Sequence, residues 1–339
     1  MKKIKIGING FGRIGRVAAR IILEKPELSL VAINSRAPVS SHAYLLKYDS
    51  TYGTAPYEVK ADKNILTVNK NKISVYAIDE PSAIPWQKEG VDIVIDATGK
   101  FRTTEDLKKH LAAGAKFVVL SAPAKDNTKT LVMGVNEKTF DPKNDKIVSN
   151  SSCTTNCLST TLKVLHKNLG VKRGFMTTVH AVTDSQNLLD NSHRKEVRLR
   201  RSAFASMIPA GTGSAKDINK LYPELNGKIF CSAIRVPLLT VSLIILTVEV
   251  GKKTTIDQIN NLYKEAAGTY LKGILTLAKD ELVSRDFMGD PHASIVDPYL
   301  TQVVDGNLVN VYAWYDNEWG YTSRLIDMVY YIGRKAGLL

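Results

Sequence analysis

The chain has 339 residues, 44% hydrophobic and 23% charged, with a net charge of +13. That is the profile of a soluble globular protein with room for two domains. No apolar run approaches the roughly 18 residues that a membrane span requires. The opening Met1-Lys2-Lys3-Ile4 lacks the apolar stretch and small-residue cleavage site of a secretory signal, so a cytoplasmic protein is expected. Three cysteines, Cys153, Cys157 and Cys231, argue against a disulfide framework. No Cys/His cluster has zinc-site spacing, so no metal is expected. The basic charge is dispersed, without an RNA-binding or helix-turn-helix signature, so specific nucleic-acid recognition is not expected.

In chain order, residues 3–8 alternate and then turn fully apolar, as a strand entering a buried parallel sheet does. A glycine-rich turn follows, then a helix over Ile14 to Leu23, ended by Pro26, and a second strand over Leu28–Asn34. Further α/β units come from strands at 92–96, 116–120 and 146–149, a helix at Glu105–Ala113 and another starting near Ser152. Strands alternating with helices imply an open parallel sheet. After about residue 170 longer strand-like runs (174–183, 228–237, 240–250, 307–315), a helix at 255–267 and a terminal amphipathic helix at 325–335 suggest a mixed sheet. The expected fold is therefore α/β, a Rossmann-type parallel-sheet domain plus an α+β catalytic domain with a mixed sheet. The dinucleotide-binding domain is expected at 1–152, with the helix of 317–339 packing back on it, and the catalytic domain at 153–316.

The first strand ends in Asn9-Gly10-Phe11-Gly12-Arg13-Ile14-Gly15, a G-x-G-x-x-G turn between strand and helix. Gly10 permits the tight turn, Gly12 lets backbone approach a pyrophosphate, and Gly15 permits close helix–strand packing. The acidic residue that would bond a ribose 2′-hydroxyl is missing. The second strand ends in Asn34-Ser35-Arg36, where Ser35 can donate to a 2′-phosphate and Arg36 can pair with it. This chemistry leans toward NADP. The alternative is that Asn34 or backbone serves NAD, or that use is dual.

Cys153, in Ser149-Asn150-Ser151-Ser152-Cys153-Thr154-Thr155-Asn156, sits near a helix N-terminus, which favours thiolate and lowers the pKa. Cys157 and Cys231 read as small core residues. Such a thiolate needs a base. Of the six histidines, His180 follows the β-rich run 175–179 at a strand end. His42, His110, His166, His193 and His292 fall in helices or polar loops and default to structural or solvated roles. Spacing alone does not single out His180 among them.

With these segments in view, the sequence closely resembles phosphorylating glyceraldehyde-3-phosphate dehydrogenase over essentially the whole chain. The resemblance is carried by residues 8–16, 121–124, 151–157 (Ser-Ser-Cys-Thr-Thr-Asn-Cys), 177–181, 233–237 and 314–321 (Trp-Tyr-Asp-Asn-Glu-Trp-Gly-Tyr). It implies Cys153 as nucleophile and His180 as its base. It implies Asn317 as the residue that orients the nicotinamide amide, with Arg13, Ile14, Thr98, Gly99 and Ser121 as further cofactor contacts. Thr183 and Arg235 are implied for the C3 phosphate of glyceraldehyde 3-phosphate. Ser152, Thr154, Thr212, Gly213 and an arginine of the cluster 194–201 are implied for attacking inorganic phosphate, with Arg198 chosen over Arg200 or Arg201. A homotetramer is also implied.

The sequence departs from the family's usual pattern at the cofactor site. Ser35 stands where many NAD-specific members carry aspartate, and Asn191-Ser192 where they carry leucine–proline. Both departures favour NADP or dual use. Asp184-Ser185-Gln186 and residues 209–216 also vary, while Thr212-Gly213 is kept. The alternatives are an erythrose-4-phosphate dehydrogenase that releases the acid by hydrolysis and, in another class, a catalytically silent RNA-binding relative.

Overall fold

The structure is a computed structural model that describes residues 2–193 and 196–339. Two compact units divide the chain, one running to Ser151 and resuming at Thr322, the other spanning Ser152–Tyr321.

The first unit is built on a nine-stranded sheet. Its strands are β1 (Ile4–Asn9), β2 (Leu28–Asn34), β3 (Val59–Asp62), β4 (Ile65–Val68), β5 (Asn71–Tyr76), β6 (Ile93–Asp96), β7 (Phe117–Leu120), β8 (Lys129–Thr130) and β9 (Ile147–Ser149), in the order β8-β9-β7-β6-β1-β2-β5-β4-β3. The run from β8 to β5 is parallel and the last two pairings are antiparallel. Helices α1 (Arg13–Glu24), α2 (Val39–Lys47) and α3 (Thr104–Ala112) belong to this unit. Ile4, Ile6, Ile8 and Ile93 to Ile95 are fully buried, as strands covered on both faces require. The order reverses at β1, which is flanked by β2 and β6, and crevices for dinucleotides form at such switch points.

The glycines of the first turn have unequal jobs. Gly10 has φ +95° and a Cβ there would lie 2.7 Å from the Thr98 nitrogen, so only glycine fits. A Cβ on Gly15 would lie 2.2 Å from the Gly10 carbonyl oxygen, whereas nothing lies within 4 Å of one on Gly12.

The second unit holds a seven-stranded mixed sheet. Its strands are β10 (Val171–His180), β11 (Ile208–Ala210), β12 (Ile229–Arg235), β13 (Ser242–Val250), β14 (Leu275–Leu277), β15 (Ser294–Val304) and β16 (Leu308–Tyr315), in the order β11-β12-β10-β13-β16-β15-β14. Strand β13 buries Ile244, Leu246, Val248 and Val250 completely and leaves the alternate residues half-exposed, which shows one covered face. Helix α4 (Cys153–Leu169), buried around most of its circumference, lies on that sheet with α5 (Ser214–Leu221) and α6 (Ile256–Gly268). Helix α7 (Trp319–Lys335) starts at the end of this unit, and from Thr322 on it belongs to the first. No helix among the described residues is long and apolar enough to cross a membrane.

Helices α2 and α5 and strands β3 to β5, β8, β11, β14 and β15 are absent from the pattern-based reading. Strands β3 and β4 have only four residues each, and β3 is mostly exposed, so neither offers a long alternating pattern. Strand β15 contains Pro298, and its pairing with β16 breaks between Asp297 and Gln302, where an irregularity absorbs the missing donor.

Gly15→Ala is expected to lower stability by about 1–3 kcal/mol, the usual cost of overpacking. Gly12→Ala is expected to cost less than about 1 kcal/mol, since it alters only the helix cap. Urea unfolding of the two variants checks both. Equal losses would contradict the steric account.

Candidate active site

Helix α4 begins at Cys153 and is capped by Ser152, whose hydroxyl oxygen accepts the Thr155 amide at 3.1 Å. The preceding Ser151 has φ +56°, a left-handed turn from strand into helix. Strands β10 and β12 run parallel and set His180 directly opposite Arg235 at their carboxyl ends. Cys153 Sγ lies 3.5 Å from His180 Nε2. On its far side His180 Nδ1 is 2.7 Å from the Ala181 carbonyl and 2.6 Å from Arg235 Nη1. Nδ1 faces opposite demands, since the Ala181 carbonyl can only accept and Arg235 Nη1 can only donate. In the tautomer with the proton on Nδ1, which serves Ala181, Nε2 keeps the lone pair that faces the thiol.

Burial first, and the Arg235 charge second, lower the His180 pKa from 6.5 to about 3, so the imidazole is neutral at neutral pH. Burial also pushes the half-buried Cys153 thiol upward, opposed by the Arg235 charge and by hydrogen bonds from Thr154. The expected lowering of this pKa by the helix start is thus corrected, because desolvation outweighs it. The resting pair is thiol and neutral imidazole, and the proton moves as the sulfur attacks.

Tyr315 secures the pair. Its buried hydroxyl lies 2.9 Å from Thr154 Oγ1 and 2.8 Å from Thr178 Oγ1, tying α4 to β10. Its ring stands edge-on to His180 at 6.0 Å. Tyr315 and Thr178 escape sequence reasoning. Tyr315 lies in a motif quoted for the family, but 161 residues separate it from Thr154. Cys157 is fully buried, as expected, whereas Cys231 is only half-buried on β12. Asn317 is buried, and its Oδ1 accepts from the Ser242 hydroxyl at 3.0 Å.

The remaining expected phosphate residues of this unit are spread out. The Thr183 hydroxyl meets Ser185 at 3.0 Å, and Thr212 with Gly213 leads into α5. Arg201 pairs with Asp190 at 2.8 Å. Arg198 lines a cavity of about 620 Å³ with Glu196, Pro209 and Ser232, and neither Cys153 nor His180 is among its lining residues. Asn191 and Ser192 are exposed in a turn held by the Asn187 side chain, and Arg194 and Lys195 of the basic cluster lie outside the described residues.

In the first unit, Arg13 is ion-paired with Asp49, whose carboxyl stays below its usual range because hydrogen bonds from Arg13 and from the Tyr52 and Thr51 amides outweigh its burial. Ile14 opens α1 and is half-buried. Asn34 is fully engaged, its Nδ2 donating to Asn9 Oδ1 and the Ile78 carbonyl and its Oδ1 accepting the Ile78 amide. The Ser35 amide donates to Tyr76 at 2.8 Å. Arg36 Nε meets Asp79 at 2.7 Å in an exposed pair that sequence reasoning did not foresee. Asp96 accepts from both the amide and the hydroxyl of Thr98, beside Gly99 at φ +66°, and its carbonyl accepts the Ser121 amide at 2.9 Å.

The chain matches the family described as glyceraldehyde 3-phosphate dehydrogenase, NAD binding domain, over residues 4–104. It matches the C-terminal domain of the same family over residues 152–317. It is 47% identical to a glyceraldehyde-3-phosphate dehydrogenase of Geobacillus stearothermophilus over 333 residues, 98% of this chain and 99% of the relative. It is 48% identical to one from Zymomonas mobilis over 328 residues, 96% of this chain and 97% of the relative.

His180→Asn is expected to slow alkylation of Cys153 by iodoacetamide at neutral pH at least about tenfold, because the thiol loses its proton acceptor. An unchanged rate would contradict the pairing. Since the folded His180 pKa of about 3 lies below the unfolded value of 6.5, its neutrality contributes stability above pH 6.5 that is lost as pH falls toward 3. The urea midpoint of the unsubstituted protein should fall over that window, with a His180-dependent slope of up to about 1.4 kcal/mol per pH unit. In His180→Asn that component should be absent.

Proposed function

The chain belongs to the glyceraldehyde-3-phosphate dehydrogenase family of oxidoreductases, and from that membership we propose that it is a phosphorylating, NADP-preferring member working through Cys153. It would convert glyceraldehyde 3-phosphate and inorganic phosphate reversibly to 1,3-bisphosphoglycerate. The observation that carries this reading is the 3.5 Å approach of Cys153 Sγ to a His180 kept neutral by burial.

The first unit suits a dinucleotide. Helix α1 has no side-chain cap at Gly12, where the space is open, which suits a pyrophosphate at the helix start. When bound, the dinucleotide supplies the acceptor for the aldehyde's hydride. Cys153 Sγ bonds to the aldehyde carbon while its proton passes to His180 Nε2. The protonated imidazole then stands as a donor beside the forming oxyanion. After oxidation to the thioester, an oxygen of inorganic phosphate attacks the carbonyl, the C–S bond breaks, and His180 returns its proton to the sulfur. Thr183 and Arg235 hold the C3 phosphate. Ser152, Thr154, Thr212, Gly213 and Arg198 serve the attacking phosphate. Asn317 orients the nicotinamide carboxamide.

NADP preference rests on Ser35, whose hydroxyl is uncommitted among the described residues, and on Arg36. An exposed ion pair such as Arg36–Asp79 is worth about 0–1 kcal/mol, so a doubly charged 2′-phosphate can displace it. A homotetramer and a cytoplasmic location complete the proposal. The exposed, stacked Phe175 and Phe230 fit burial against a second copy.

Turnover of glyceraldehyde 3-phosphate should require inorganic phosphate and be lost in Cys153→Ser with the fold intact. Phosphate-independent turnover would point instead to hydrolytic release of the acid. The kcat/KM for NADP should exceed that for NAD, and Ser35→Asp should shift the ratio toward NAD by at least about tenfold, roughly 1.4 kcal/mol. An unsubstituted protein that prefers NAD tenfold would overturn the cofactor assignment.

A further inference from the structure

We propose that Ser242 is a positioning residue that fixes which end of the Asn317 amide faces the dinucleotide. The proposal rests on the assignment of Asn317 to the nicotinamide carboxamide.

The case is a count of protons. Ser242 Oγ is 1% exposed and has two polar neighbours, the Ala181 amide at 3.1 Å and Asn317 Oδ1 at 3.0 Å. The Ala181 N–H can only donate, so it occupies a lone pair of the hydroxyl. The single hydroxyl proton is then left for Asn317, and the atom that receives it must be an acceptor. Oδ1 therefore points inward and Nδ2 is turned away from Ser242. With the amide reversed, Nδ2 would face Ser242 and the buried hydroxyl proton would lose its acceptor, an arrangement buried polar groups avoid. Thr240 does not compete for the role, since its hydroxyl donates to Asp316 Oδ1 at 2.9 Å and is 3.5 Å from Asn317 Oδ1.

A second observation points the same way. Val241, between these two hydroxyls, has φ +69°, a costly conformation for a β-branched residue. Neighbours along an ordinary strand do not bring residues 240 and 242 to adjacent partners on one segment. Here the Thr240 hydroxyl reaches Asp316 and the Ser242 hydroxyl reaches the next residue, Asn317. Backbone strain of this kind persists where the surroundings over-determine it, and it clusters at ligand clamps. The Ala181 amide that sets the proton count belongs to the residue whose carbonyl meets His180 Nδ1. One serine thus links the segment that carries the base to the residue that orients the cofactor.

The orientation has a chemical consequence. An outward Nδ2 donates to the carbonyl of a carboxamide, and it can donate equally to a methyl ketone. An outward Oδ1 would accept from the carboxamide NH2 and has nothing to accept from the ketone.

The experiment is a calorimetric titration of the full-length protein with NADP and its 3-acetylpyridine analogue, repeated with NAD and its analogue so that the result does not depend on the 2′-phosphate. Ser242→Ala should raise the ratio of the analogue's Kd to the parent's Kd at least about tenfold over the unsubstituted protein. Ser242→Thr, which keeps the hydroxyl, should return the ratio to within about threefold. If Ser242→Ala weakens both ligands equally, or leaves both unchanged, the positioning role is wrong. Asn317→Ala separates the two levels of the argument. If it leaves both affinities unchanged, the carboxamide assignment itself fails and the proposal falls with it. If it weakens binding while Ser242→Ala leaves the ratio fixed, the assignment survives and only the role of Ser242 is lost.

Discussion

A neutral imidazole buried against a half-buried thiol is the constraint on which the rest of the second unit depends. His180 is 3% exposed, and burial with the nearby Arg235 charge takes its pKa to about 3. In water that side chain would be partly protonated at neutral pH, and the protonated fraction cannot accept. Here the ring stays in its neutral, accepting form, at the cost of lower intrinsic basicity, and Cys153 is the group placed to give it a proton. The same desolvation that keeps His180 basic in form also disfavours a free thiolate, so the two effects are useful only together. Ionisation is deferred to the moment of attack, when the proton has 3.5 Å to cross between heavy atoms.

Around such a pair an orphaned polar group in a low-dielectric site costs about 1–3 kcal/mol. Two hydroxyls beside it do double duty. Tyr315 bridges Thr154 and Thr178, and Ser242 bridges Ala181 and Asn317. These contacts join α4, β10, β13 and the segment after β16 into one polar seam around the thiol. The first unit has a more open start to its glycine-turn helix: Gly12 makes no side-chain cap hydrogen bond to α1, and nothing lies within 4 Å of where its Cβ would stand, a setting that suits an anionic ligand.

How much of this was legible in the sequence depends on how local the physics is. The glycine turn is a local steric matter, and the needs of Gly10 and Gly15 follow from spacing between one strand and one helix. Cys153 at a helix start is equally local. His180 was legible only as a strand-end histidine, because its placement depends on β10 pairing with β12, 55 residues away at Arg235. The thiol pKa was misread because burial has no signature in a short window. Asn34 looked like a ribose ligand, but its amide is committed to Asn9 and Ile78. The Arg36–Asp79 pair crosses from the end of β2 to the segment after β5, an edge the pattern reading had not built. The positive φ of Val241 is likewise imposed by tertiary packing and not by its own residue type.

The central claim is that Cys153 carries the acyl group between oxidation and transfer to phosphate. Its most direct test is a single turnover with glyceraldehyde 3-phosphate and NADP in the absence of inorganic phosphate, quenched in acid and mapped by peptide mass spectrometry. The account predicts an acyl adduct on the peptide containing Cys153, discharged when phosphate is added before the quench. Reduction of the dinucleotide with no adduct at Cys153, or with an adduct on another residue, would contradict it.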